Sequence, residues 1–129
     1  MQLNECPCGS DADFSSCCGR YISGEQFPLT AEALMRSRYS AYVIGDEKYL
    51  LRTWHSSTRP EVLGLDRDTA TKWIGLDIIT TGQGTEMDDQ GMVEFITRYK
   101  INGKAQRLHE VSQFRKEKGK WFYLYGILK

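Results

Sequence analysis

The sequence predicts an α+β protein with a small cysteine-rich segment at its N-terminus. Three observations carry that expectation. All four cysteines fall within thirteen positions, in "CPCGSDADFSSCC". Apolar residues recur at helical spacing through residues 30–54. From residue 73 onward the pattern changes to strand spacing, with strong turn signals between the runs. Helices first and an antiparallel meander afterwards indicate α+β rather than alternating βαβ units.

The chain has 129 residues, 40% of them hydrophobic, with fifteen aromatics (three Trp, seven Tyr, five Phe). That suffices for one compact domain plus an appendage, divided here as residues 1–24 and 25–129. No run approaches the roughly 18–20 apolar residues of a membrane span. "MQLNECPCGS" has neither the basic start nor the apolar run of a signal peptide, so a reducing cytoplasmic location is expected.

The elements follow in order. Tyr21 to Leu29 reads as a linker holding Gly24 and Pro28. Thr30 offers an N-cap oxygen to a first helix in which Leu34, Met35, Arg38, Tyr39, Tyr42 and Val43 share a stripe. Gly45 fits the end of that helix. Asp46 caps a second, with Leu50, Leu51 and Trp54 on one face and "HSSTRPE" ending it. Trp73–Thr81 reads as a strand, followed by the acidic, glycine-rich turn "GQGTEMDDQG". Over Met92–Ile101, alternation places Val93, Phe95, Thr97, Tyr99 and Ile101 on one side and Glu94, Arg98 and Lys100 on the other. "NGK" at 102–104 is a hairpin signal. Arg107–Lys116 and Trp121–Leu128 complete the meander around a turn at Lys118-Gly119-Lys120.

Three chemistries compete for the cysteines. A disulfide between adjacent Cys17 and Cys18 is strained, since their Cα atoms lie about 3.8 Å apart and disulfides prefer roughly 4.4–6.8 Å. Bridges between the pairs suit an oxidising compartment, and a redox pair more naturally reads C-x-x-C. The third is a Zn²⁺ site in which Cys6, Cys8, Cys17 and Cys18 close a tetrahedron as thiolates, and the neighbours support it. Pro7 fixes φ between two ligands, and Gly9 permits the following turn. The N–H groups of Gly9, Ser10 and Gly19 are expected to face sulfur, with Phe14 as a lid. With all four positions supplied by protein, such a site is structural.

"CPCGS…CCGR" resembles the SEC-C motif, the zinc knuckle found at the end of the SecA translocase and in several small bacterial proteins. Many members carry His at the last ligand position, where this chain has Cys18. The resemblance implies a docking surface for a protein or ribosomal partner. Over residues 4–126, "CPCGS", "CCGRYISG", "LMRSRYSAY", "TWHSSTRP", "VEFITRY", "HEVSQF" and "WFYLYG" occur in the order found in the YchJ family. These small bacterial proteins join such a knuckle to a nuclear-transport-factor-2-like cone, in which helices pack into a curved antiparallel sheet. The family has no established activity.

Cones of this kind often hold a cavity between helices and sheet. On the third strand, Leu108, Glu110, Ser112 and Phe114 share the expected inner face, where a carboxylate must be paired, hydrogen-bonded or raised in pKa. Candidate lining residues are Arg38, Tyr39, Tyr42, Trp54, His55, Arg59, Trp73, Tyr99, Glu110, Ser112, Trp121 and Tyr123. A pair between Glu110 and Arg38 or a tyrosine would tie the helix to the sheet. His55 is expected to cap or pack at a helix end, and His109 to face solvent beside Arg107. No Gly-flanked serine elbow or phosphate-cradling loop is present.

The net charge is zero, yet residues 98–129 carry nine Lys/Arg against Glu110 and Glu117. A solvated sheet face accounts for that bias, and contact with RNA or another acidic partner is the competing reading. Pairing of two cones through the outer sheet face would meet Glu94, Arg98, Lys100, Arg107 and Arg115, so a monomer or weak dimer is expected. With no catalytic constellation, the residues favour a zinc-binding adaptor, docking through the knuckle or the basic C-terminal strands. The alternative is a ligand-binding or enzymatic cone with a polar pocket around Glu110.

Overall fold

A computed structural model describes residues 5–65 and 70–129. The elements run α1 (Cys18–Ile22), α2 (Ala31–Ile44), α3 (Glu47–Arg52), β1 (Thr71–Gln83), β2 (Gln90–Ile101), β3 (Lys104–Glu117) and β4 (Lys120–Leu128), with a 3-10 turn at Phe14–Ser16. The strands form an antiparallel meander in the order β1-β2-β3-β4. Register shifts in β1 and at Gln113/Phe114 are bulges, which bend and twist a sheet into a concave surface. No helix among the described residues is long and apolar enough to cross a membrane.

Local chemistry fixes the helices. Thr30 Oγ1 accepts the Ala33 N–H at 3.1 Å, and Asp46 Oδ1 accepts the Tyr49 N–H at 3.1 Å, each taking an otherwise orphaned donor. Gly45 closes α2 in the left-handed conformation at φ 79°. Leu34, Met35 and Tyr39 of α2 pack on Leu76, Val93, Phe95, Phe114 and Trp121 of the sheet to form the main core. A second cluster joins Ala41, Tyr49 and Leu50 to Tyr21, Ile22, Leu63 and Leu65. The Ala31 N–H donates to the Gly84 carbonyl at 2.9 Å, so the β1–β2 hairpin sits directly beneath the start of α2. A Cβ on Gly84 would come within 2.9 Å of Ala31 Cβ, which is why bare backbone is needed there.

Three expectations change. Tyr21 and Ile22 lie in α1 and pack into the second cluster, so the linker begins after them. The second helix stops at Arg52, ahead of "HSSTRPE", where the Trp54 N–H turns to the Leu51 carbonyl at 3.2 Å and side chains take up the last helical carbonyls. Thr53 Oγ1 donates to the Tyr49 carbonyl at 2.7 Å, and Arg38 Nη1 donates to that of Leu50 at 2.7 Å. Trp54 therefore lies beyond the helix, bridged to Tyr123 of β4. Val43, placed on the packing stripe, is instead exposed.

The turns behave as their residues dictate. Ile101 pairs with Lys104 around Asn102 (φ 50°) and Gly103 (φ 83°), and Glu117 pairs with Lys120 around Lys118 (φ 52°) and Gly119 (φ 80°). Both are two-residue hairpins with two successive positive φ angles, the twist that suits antiparallel strands.

Candidate metal centre and cone cavity

Backbone hydrogen bonds fold the N-terminal loop around its cysteines. The Cys6 N–H donates to the Ala12 carbonyl at 2.8 Å, the Gly9 N–H to the Cys6 carbonyl at 3.2 Å, and Glu5 bridges Asp13. The Gly9 N–H is thus spent on backbone, where it was expected to face sulfur. The 3-10 turn and α1 then deliver Cys17 and Cys18. All four Sγ atoms lie within 4.8 Å of one another as free thiols, with Cys8 and Cys17 at 3.7 Å. Cys6, Cys8 and Cys18 are buried and Cys17 is half-buried. Phe14 packs against the cluster, and Gly19 is held to hydrogen because a Cβ there would stand 2.7 Å from the Phe14 carbonyl oxygen.

The cluster's electrostatics favour a cation. Hydrogen bonds from Cys18 and Cys8 push the Cys6 thiol far down, with smaller help from the Ser40 hydroxyl and the Cys8 backbone. Hydrogen bonds with Cys6 and Cys8 push Cys18 far up, and burial adds to this. Four adjacent thiols cannot all ionise by themselves, whereas a divalent ion at their centre would stabilise every thiolate. Ser10 Oγ lies 3.2 Å from Cys17 Sγ and Ser40 Oγ 3.5 Å from Cys6 Sγ, giving the sulfurs hydroxyl neighbours. The donor set, spacing and burial fit a bound metal ion.

This centre is built onto the cone. Ser40 belongs to α2, and Arg36 Nη1, also from α2, donates to the Cys8 carbonyl at 2.8 Å while its Nε binds Glu32 at 2.9 Å. The metal loop therefore grips the helix that floors the cone.

Between α2 and the sheet lies a cavity of about 240 Å³. Of the residues expected there, Arg38, Tyr39, Tyr42, Trp54, Trp73, Glu110, Ser112 and Tyr123 line it. His55, Arg59, Tyr99 and Trp121 do not. His55 is buried against the β3–β4 turn, its Nε2 2.9 Å from Glu117 and its Nδ1 2.7 Å from Ser57 Oγ. Because the Ser57 N–H also donates to Nδ1 at 3.1 Å, that nitrogen is the acceptor and Nε2–H faces the carboxylate. Arg59 is exposed. Tyr99 packs on Trp73 at 5.3 Å near the open end of its strand, and Trp121 fills the core, its Nε1 donating to the Leu29 carbonyl at 3.1 Å.

Of the two pairings expected for Glu110, with Arg38 or with a tyrosine, the Arg38 pair is not formed. Arg38 is 4% exposed, and its Nη1 donates to the Leu50 carbonyl and, at 2.8 Å, to Thr53 Oγ1. Its guanidinium carbon lies 5.1 Å from the Trp54 ring centre and 4.6 Å from that of Tyr123. Burial lowers its pKa, opposed by Tyr42, Tyr123 and other neighbours. Glu110 instead accepts a 2.7 Å bond from Ser112 Oγ. Burial, then the Glu110 charge, and to a smaller extent a side-chain hydrogen bond with Glu110 push the Tyr123 phenol up, so the tyrosine arm of the expected pairing is the one the cavity supports. Met35, Phe95, Thr97 and Leu108 also line the cavity. Alternation puts Phe95 and Thr97 on one side of β2 and Leu108 on the expected inner face of β3, while Thr97, neither titratable nor aromatic, carries no signal of its own. On the outer face His109 is half-buried, 2.6 Å from Glu94, and not simply solvated.

The family model described as "YchJ, middle NTF2-like domain" matches residues 30–126. This chain belongs to the YchJ family. A UPF0225 protein of Chromobacterium violaceum is 53% identical over 125 residues, covering 95% of this chain and 92% of its own. Another, from Streptomyces coelicolor, is 46% identical over 126 residues, covering 98% and 97%. Among solved structures, a SEC-C motif protein of Rhodopseudomonas palustris superposes with a TM-score of 0.79 at 30% identity, over 95% of this chain and 97% of that one. A SEC-C motif protein of Psychrobacter arcticus shares the fold with a TM-score of 0.74 at 24% identity, over 100% and 84%. The YchJ match takes in the cavity, and the SEC-C neighbours span the cysteine cluster as well.

Proposed function

We propose that the four cysteines hold Zn²⁺ as a structural ion and that the protein is a zinc-organised adaptor. Tetrahedral zinc with Zn–S bonds of about 2.3 Å sets its sulfurs about 3.8 Å apart, close to the Cys8–Cys17 separation of 3.7 Å. Four protein ligands leave no open coordination position for substrate, so the ion shapes the molecule instead of reacting.

The docking surface is a groove of about 240 Å³ at the seam between knuckle and cone, walled by Tyr21, Phe27, Pro28, Arg52, Lys120 and Phe122. The observation that carries the reading is Phe27, a large aromatic 54% exposed beside this concavity, with Leu29 next to it at 60%. Lys120 Nζ stands 4.4 Å from the Phe27 ring centre, and Arg52 holds the Ile22 carbonyl at 2.9 Å. Apolar anchors beside two cations suit a protein segment with an apolar side chain flanked by carboxylates. Tyr21 belongs to the helix that opens with Cys18, so metal binding fixes one wall. RNA is the weaker match, because the basic sheet face is partly neutralised by the Arg98–Asp77 and His109–Glu94 pairs.

A photo-crosslinking residue placed at Phe27 in cells tests this. The expected result is a discrete protein adduct that is lost on Lys120→Glu and on Cys8→Ser. An adduct indifferent to both changes overturns the reading. So does an RNA adduct that disappears when Lys100 and Lys104 are reversed.

A further inference from the structure

We infer that the cone cavity is a binding site for a small monocarboxylate with an apolar or aromatic body, gripped by Arg38. The site shares no lining residue with the docking groove, so either proposal can fail without the other.

The first argument is an unfilled hydrogen-bonding capacity. A guanidinium offers five N–H donors and stays protonated in proteins. At Arg38 both bonds come from Nη1, while Nε and Nη2 make no hydrogen bond among the described residues and are not sealed from the cavity's solvent. No carboxylate pairs with it, although Glu110 lines the same cavity. Glu110 is engaged by Ser112 and Tyr123 and packs over Gly126. Glu110 acts on Arg38 only through space, with no hydrogen bond between them, and the side of the planar fork left open suits a carboxylate.

The second argument is independent of charge. Thr97 Oγ1 is the one buried side-chain polar atom without a hydrogen-bond partner among the described residues, and Thr97 lines this cavity. Such a group costs free energy unless something fills the space beside it. A ligand oxygen would satisfy it.

The remaining wall sets the ligand's body. Trp54, Trp73, Phe95 and Leu108 offer aromatic and aliphatic surface. A volume of 240 Å³ equals about eight waters at liquid density, room for a ring or branched chain with its carboxylate. One cation beside one carboxylate also selects against dianions, phosphate monoesters included.

The test uses the full-length, metal-loaded protein titrated with benzoate, read by tryptophan fluorescence and calorimetry, with benzamide as the neutral match in shape. Saturable benzoate binding is expected, with benzamide weaker by at least about tenfold. Arg38→Lys should weaken benzoate by a similar factor. Where that variant fails to fold, Thr97→Val should keep the fold and still weaken benzoate severalfold. Equal binding of benzoate and benzamide overturns the inference. So does failure of benzoate, phenylacetate and isovalerate alike to saturate in the millimolar range, which would leave Arg38 an architectural residue solvated by cavity water.

Discussion

The Glu110 carboxylate lies directly over the Cα of Gly126, the residue paired across from Ser112, so that a β-carbon at 126 would overlap it. This relationship explains why an inward-facing glutamate and a strand-interior glycine occur together. Gly126→Ala should therefore destabilise the fold by about 1–3 kcal/mol, the usual range for forced overpacking. In the Glu110→Ala background the same change should cost far less, with a coupling of about 1 kcal/mol. Chemical denaturation of the four proteins checks this, and additive costs would show that the two side chains do not compete for space.

Metal removal should reach beyond the knuckle. Cys8 is fully buried, and its carbonyl anchors Arg36 of α2 while Cys6 touches Ser40. Stripping the ion, or Cys8→Ser, should lower Tm by on the order of 10 °C, reflecting loss of several kcal/mol. Hydrogen exchange should speed up in α1 and in the first turns of α2 while β2 and β3 stay protected. An unchanged Tm in protein verified to be metal-free would separate the knuckle energetically from the cone.

Much of this architecture is legible in local sequence, because caps and tight turns depend on neighbours only a few residues away. Thr30, Asp46, Asn102-Gly103 and Lys118-Gly119 each act as their chemistry predicts. Strand parity also places Glu110 and Ser112 correctly. What it cannot reveal is the irregularity between Gln113 and Phe114. Counting by twos from Tyr123 would put Tyr125 and Ile127 inside. The bulge turns them outward, 47% and 55% exposed, and brings Gly126 in beneath Glu110. The cavity's polarity depended on that one-residue shift. The fate of Arg38 was likewise hidden, because its acceptors arise only where α3 ends against α2.

The loop after α3 should loosen in acid. Glu117 is held below the ordinary carboxylate pKa of 4.5, chiefly by its hydrogen bond from His55. A depressed folded value means the interaction is fully present above the ordinary pKa and is lost as pH falls through the lowered one. As pH falls through that lowered value, residues 55–58 should detach and Trp54 fluorescence should change. Glu117→Gln should shift that transition or remove it. An unchanged acid profile in Glu117→Gln would assign the transition to another group.

Thr97→Val links stability to the cavity's use. The hydroxyl is buried and unpartnered, so an isosteric methyl removes an unmet polar group without opening a void. In the ligand-free protein the change should therefore stabilise by about 1–2 kcal/mol, where most buried Thr→Val changes destabilise. If the hydroxyl serves a bound carboxylate, the same variant must lose affinity while gaining stability, and a saturating ligand should narrow the Tm gap between the two proteins. Denaturation with and without benzoate measures both quantities on one sample. A variant less stable than the parent in the absence of ligand would mean that water already satisfies Thr97, which removes the independent support for the anion site.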